Sequence, residues 1–165
     1  MPTLWQTDFV RLVAETRPHT LLVIGPDAGA LADRVRAHVG DMATLDPEEA
    51  LEALSGLARY RLVWVYGTLE RLAKERANVL MGGLRDLHAQ RLYVLVPIGG
   101  RRGDERSHWR ETDLLALGLS RSQRYSQAGR NLDLYGFDLF DYKQTPDWFS
   151  ARHWANPQLW DQYRW

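Results

Sequence analysis

Three stretches of this chain are apolar almost without interruption: residues 20–24, 62–66 and 92–96. Polar residues do not alternate through them, which is the pattern of strands covered on both faces. Each is followed by a segment whose apolar residues recur at helical spacing. Leu31, Val35 and Val39 predict a helix over 30–39, with Gly40 as its C-terminal stop. Residues 70–88 predict a long helix carrying Gly82-Gly83, a pair that marks either a break or close packing. Residues 42–45 form a short second strand. Asp46-Pro47 then opens a helix bearing Ala50, Leu51, Leu54 and Leu57. Upstream, Trp5, Phe9, Leu12 and Val13 share one helical face, and Pro18 ends that helix. Strand-helix units in series predict a parallel sheet with helices on both sides, an α/β fold.

The second half reads differently. Residues 98–106 are rich in glycine and charge and form a loop at the carboxyl end of the last parallel strand. A short helix over 112–117 precedes two β-prone segments, 119–126 and 132–142, joined by a turn at Ala128-Gly129-Arg130-Asn131. Thr145-Pro146-Asp147 and Asn156-Pro157 open two short helices holding Trp148, Phe149, Trp154, Leu159, Trp160, Tyr163 and Trp165. The expected organisation is one domain over 1–165, with a core of about residues 18–142 and an aromatic helical tail over 143–165.

Composition narrows the function classes. At 165 residues and 45% hydrophobic content, the chain can bury a core. Lysine plus arginine equals aspartate plus glutamate at 21 each, which argues against a general electrostatic grip on nucleic acid and leaves only a local basic patch. There is no cysteine, so thiolate chemistry and disulfides are excluded. The start Met1-Pro2-Thr3-Leu4 has no secretory pattern, and the apolar runs are too short to span a bilayer. A cytoplasmic protein with no membrane partner is the expectation.

The five histidines, His19, His38, His88, His108 and His153, lack metal-ligand spacing, so no metal is expected. There is no G-x-S-x-G elbow and no P-loop lysine. Gly25 and Gly29 fall one residue short of a dinucleotide fingerprint.

Leu21-Leu22-Val23-Ile24-Gly25-Pro26-Asp27-Ala28-Gly29 and the run from Tyr60 through Leu69-Glu70-Arg71-Leu72 resemble the first and fourth strands of class I S-adenosylmethionine-dependent methyltransferases. The resemblance spans about residues 18–142 and implies a truncated Rossmann-like parallel sheet ending in an antiparallel hairpin. The tail run Trp154-Ala155-Asn156-Pro157 is similar to that of a small uncharacterised bacterial family of methyltransferase-like proteins. By that resemblance the cofactor side would comprise Gly25, Asp27, Gly29, Asp46 and Tyr66, and the substrate side Thr68 and Glu70. Val23 stands where the family has an acid, Asp27 replaces its middle glycine, and Arg71 replaces a histidine. Asp46 could bind a ribose or simply cap its helix. Only one helix separates it from the next strand, so the family's third strand is missing.

Three functions follow. The first is a non-catalytic methyltransferase-like binding or scaffold protein without cofactor. The alternative is a small S-adenosylmethionine-dependent methyltransferase with Tyr66, Thr68 and Glu70 lining the acceptor side. The weaker third is an anionic-ligand or nucleic-acid module built on Arg101, Arg102 and Arg106, with Arg110 nearby. Asp104, Glu105 and Glu111 interleave with these arginines, which predicts local neutralisation. His108 reads as a solvated loop histidine. The aromatic tail either packs on its own domain or binds a protein partner.

Overall fold

Each continuous apolar run becomes an inner strand in the computed structural model, which describes residues 3–142. The two helices expected in the aromatic tail lie outside the described residues. The order is α1 (Leu4–Thr16), β1 (Thr20–Ile24), α2 (Ala28–Asp33), β2 (Asp41–Leu45), α3 (Pro47–Ala53), β3 (Tyr60–Tyr66), α4 (Lys74–Gly83), β4 (Ala89–Pro97), α5 (Glu111–Ala116), β5 (Ser120–Gln127), β6 (Arg130–Asp138) and α6 (Leu139–Tyr142).

The six strands form one sheet in the order β2-β1-β3-β4-β6-β5. The first four are parallel, and β6 and β5 add as an antiparallel hairpin. Register aligns Leu22 with Val63 and Val63 with Leu92, so the fully buried residues stack across the sheet centre. Alternate residues then feed two cores. Leu22, Ile24, Val63 and Val65 pack with Ala50, Leu80 and Met81 of α3 and α4. Leu21, Val23, Leu62, Trp64 and Tyr66 pack with Trp5, Phe9 and Val13 of α1 and with Leu31 and Ala32 of α2. The interval between β2 and β3 carries α3 and a 3₁₀ turn but no strand, so β2 stays a half-exposed edge.

Several boundaries differ from the sequence expectation. The helix over 30–39 is only α2, followed by a 3₁₀ turn at Arg36–His38. Gly40 is not its left-handed stop. A Cβ there would lie 2.7 Å from the His19 carbonyl oxygen, so this glycine serves the close approach that lets Asp41 N–H donate to the same oxygen at 2.8 Å. The long helix over 70–88 begins only at Lys74. Leu69–Arg71 is a separate 3₁₀ turn, because the chain extends at Leu72 and Ala73 to seat Leu69 and Leu72 in the core. Helix α4 runs through Gly82-Gly83, where a Cβ on Gly83 would meet Leu54 at 2.6 Å, and finishes in a π turn at Leu84–His88. Close packing explains Gly83, whereas Gly82 has open space at its Cβ position, and neither breaks the helix. The hairpin turns on two residues, Ala128 and Gly129, both with positive φ (51° and 69°), which matches the twist of the flanking strands. Strand β6 stops at Asp138, whose carboxylate accepts from Phe140 N–H at 2.9 Å and starts α6.

Candidate functional site

In an open parallel sheet, ligands settle where successive connections leave in opposite directions, at the carboxyl ends of the strands. Here that point lies between β1 and β3, because β2 pairs on one side of β1 and β3 on the other. The loops that meet there are Gly25-Pro26-Asp27 after β1 and Gly67-Thr68 after β3, with Asp46 following β2.

A side chain already occupies the crevice. Tyr66 turns back over Gly25, where an added Cβ would meet the Tyr66 ring at 2.4 and 2.6 Å and its carbonyl oxygen at 2.6 Å. The Tyr66 hydroxyl donates to the Pro26 carbonyl. The second loop closes on the first as well. Gly67 adopts positive φ (55°), and a Cβ there would lie 2.8 Å from the Pro26 ring. Trp5 of α1 covers the tyrosine from the side, ring centroids 5.2 Å apart. Tyr66 is thereby 8% exposed. Burial, with the Asp27 and Asp46 carboxylates adding to it, pushes its phenol up to about 12.

The residues expected at the cofactor side are partly brought together. Gly25, Asp27, Asp46 and Tyr66 share this corner, and Asp27 sits in the left-handed region (φ 54°) ahead of α2. Gly29 lies on α2 with open space beside it. Asp46 holds the N-cap position of α3, and its carbonyl accepts from Glu49 and Ala50 N–H at 3.1 Å each. Its side chain makes no capping hydrogen bond and is exposed. Thr68 is fully buried and spends its hydroxyl on the Tyr66 carbonyl at 2.9 Å. It is a structural pin in the loop.

Glu70 faces the neighbouring segment, residues 98–110. Its carbonyl accepts from Arg106 N–H at 2.7 Å and Ser107 N–H at 3.3 Å. Its carboxylate atom Oε2 is buried without a hydrogen-bond partner. Burial pushes the carboxyl up to about 7; a backbone hydrogen bond opposes the rise and Glu105 adds to it.

Residues 98–110 are held firmly for a glycine-rich loop. Ser107 Oγ donates to the Leu69 carbonyl at 2.9 Å and accepts from Trp109 Nε1 at 2.9 Å. Trp109 is fully buried. Glu105 and Arg130 form a largely buried ion pair at 2.5 Å. Burial works to raise the Glu105 carboxyl, but the Arg130 and Arg102 hydrogen bonds win and hold it below its ordinary value.

This arrangement corrects the expectation of local neutralisation. Glu105 turns to Arg130, and Glu111 pairs with Arg121 at 3.3 Å. Arg106 and Arg110, between these acids in the sequence, form no ion pair among the described residues. Arg102 leaves the cluster and donates to the Ala128 and Gly129 carbonyls of the hairpin turn. Arg101, Arg106 and Arg110 instead line a hollow of about 480 Å³ with exposed His108 and with Lys74, which sequence reading did not connect to them. Lys74 arrives from α4 and stands 3.6 Å over the Trp109 ring, donating to Asp113 at 2.8 Å. Among the described residues no helix is long and apolar enough to cross a membrane.

The fold has relatives among solved structures. The small RNA methyltransferase HEN1 superposes with a TM-score of 0.61 at 11% identity, over 79% of this chain and 24% of that one. This chain therefore spans about a quarter of HEN1's length. The 1,6-didemethyltoxoflavin-N1-methyltransferase of Burkholderia thailandensis gives 0.58 at 16% identity, covering 81% and 77%. Magnesium protoporphyrin IX methyltransferase of Synechocystis PCC 6803 gives 0.55 at 15% identity, covering 80% and 76%. At these identities the likeness concerns the fold alone. The shared architecture is that of class I S-adenosylmethionine-dependent methyltransferases, in truncated form. No curated protein matches the sequence. A model described as "Family of unknown function (DUF6231)" matches residues 4–165, and the chain belongs to that family.

Proposed function

We propose that this protein is a methyltransferase-fold binding protein that does not use S-adenosylmethionine. One observation carries the reading: the ring of Tyr66 lies where a cofactor would approach the backbone of Gly25, and its hydroxyl takes the Pro26 carbonyl. Opening that space means breaking the hydrogen bond and parting the aromatic contact with Trp5. Such a motion costs binding energy before any contact with cofactor is made. Val23 also leaves the crevice without the acid that the resemblance calls for.

A second reading keeps the cofactor, favoured by Asp46. Its carboxylate is exposed at the end of β2 and unused as a cap, as a ribose-binding acid would be. Methyl transfer relies on positioning and needs no acid or base of the protein's own.

Calorimetric titration of the full chain with S-adenosylmethionine and S-adenosylhomocysteine decides between them. The first reading expects no binding heat from either. Tight binding that disappears in Gly29→Trp, where an added Cβ meets nothing within 4 Å, would establish the second and remove the first.

A further inference from the structure

We propose that the hollow beside residues 98–110 binds the phosphate group of a small phosphorylated molecule, through Arg101, Arg106 and Arg110. This site is separate from the β1–β3 crevice and stands or falls independently of it.

The charge balance is the first support. Four cations line the hollow, Lys74, Arg101, Arg106 and Arg110, against one carboxylate, Asp113. The Lys74–Asp113 pair at 2.8 Å cancels one charge of each sign. Three guanidinium groups remain. Among the described residues none of them has a carboxylate within ion-pair distance, and the sole hydrogen bond from their side chains runs from Arg101 to the Arg106 carbonyl at 3.3 Å. In a chain whose charges balance overall at 21 each, a surplus of three on one concave wall is a concentrated field.

The second support is rigidity. Two of the three acids interleaved in the sequence pair elsewhere, Glu105 with Arg130 and Glu111 with Arg121, and Asp104 is not among the residues lining the hollow. Trp109, fully buried, and the two amides bonded to the Glu70 carbonyl fix the backbone that carries Arg106 and Arg110. Binding then orders side chains only, which keeps the entropic cost low.

The third support is fit. A phosphate monoester carries close to two negative charges and three acceptor oxygens, and guanidinium forks match that geometry in pairs. A hollow of about 480 Å³ falls in the range of small-molecule sites. A nucleic-acid backbone would call for a basic stripe extending beyond one hollow.

The probe is inorganic pyrophosphate, titrated calorimetrically into the full chain at low ionic strength, with oligouridines of increasing length as a second arm. One-to-one pyrophosphate binding is expected, weakening as salt rises. Arg101→Ala/Arg106→Ala should weaken it at least about tenfold, the loss expected when charge-assisted hydrogen bonds go. Both side chains are exposed, so the melting temperature should stay unchanged. Arg36→Ala, in an exposed pair with Asp33 on another part of the surface, should bind as the parent does. No pyrophosphate heat, or equal affinity in the double variant, overturns the proposal. So does oligouridine affinity that climbs with length while pyrophosphate fails to compete.

Discussion

Between the loops after β1 and β3 an aromatic ring fills the space, and glycines let two backbones close on it. Beside the loop after β4, arginines surround a space that no side chain fills. The first corner is where a parallel sheet of this order offers its ligand crevice, and here it is packed as core. The second is peripheral to that crevice, yet it has uncompensated charge, a rigid backbone and room. A fold's habitual site and the site a particular chain leaves open are therefore separate questions, answered by different residues.

Substitutions at the packed corner probe the contrast most sharply. Gly25→Ala puts a methyl into the Tyr66 ring and its carbonyl oxygen, and the carbonyl is backbone that cannot swing aside. It should destabilise by about 3 kcal/mol, read as a lower urea midpoint. An unchanged midpoint would mean that the corner is open after all.

Glu70 lies between the two regions, and its effect is intermediate. Its folded pKa of about 7 stands above the ordinary 4.5, so the unfolded chain releases this proton first. Stability from this group is full below about pH 4.5 and falls as pH rises through about 7. Glu70→Gln should gain ~1–2 kcal/mol at pH 8, discounted because the residue is only partly buried, and almost nothing at pH 4. Equal urea midpoints for parent and variant at pH 8 would show that Oε2 has a stabilising partner.

The smallest effect is expected at Gly29, which lies on α2 without positive φ and with nothing near its absent Cβ. Gly29→Ala should stabilise by about 0.5–1 kcal/mol through the unfolded chain's entropy. A loss of stability there would restore Gly29 to the constrained role that the family resemblance assigns it.

The strands were legible because burial on both faces leaves a continuous apolar run, as in Leu21-Leu22-Val23-Ile24. The hairpin and the missing third strand were legible too, from turn chemistry and segment length. What local pattern could not convey was where long side chains turn. Tyr66 meets Pro26 forty positions away, and Lys74 reaches His108 across thirty-four. Glu105 lies between Arg102 and Arg106 in sequence, yet its ion pair is with Arg130 on β6. Asp46 shows the limit from the other side. Its place at the head of α3 was readable, but a cap position does not oblige the carboxylate to bond.

Trp109 has a consequence for how the protein ages in a cell. A trypsin-like protease is drawn to arginine, and residues 101–110 offer four of them. To cut after Arg106 or Arg110, it must draw that backbone into extended form, which pulls the indole from the β4 side of the core and frees two amides from Glu70. Cleavage at these two sites waits on opening of the segment that Trp109 anchors, so they are shielded for as long as that packing holds.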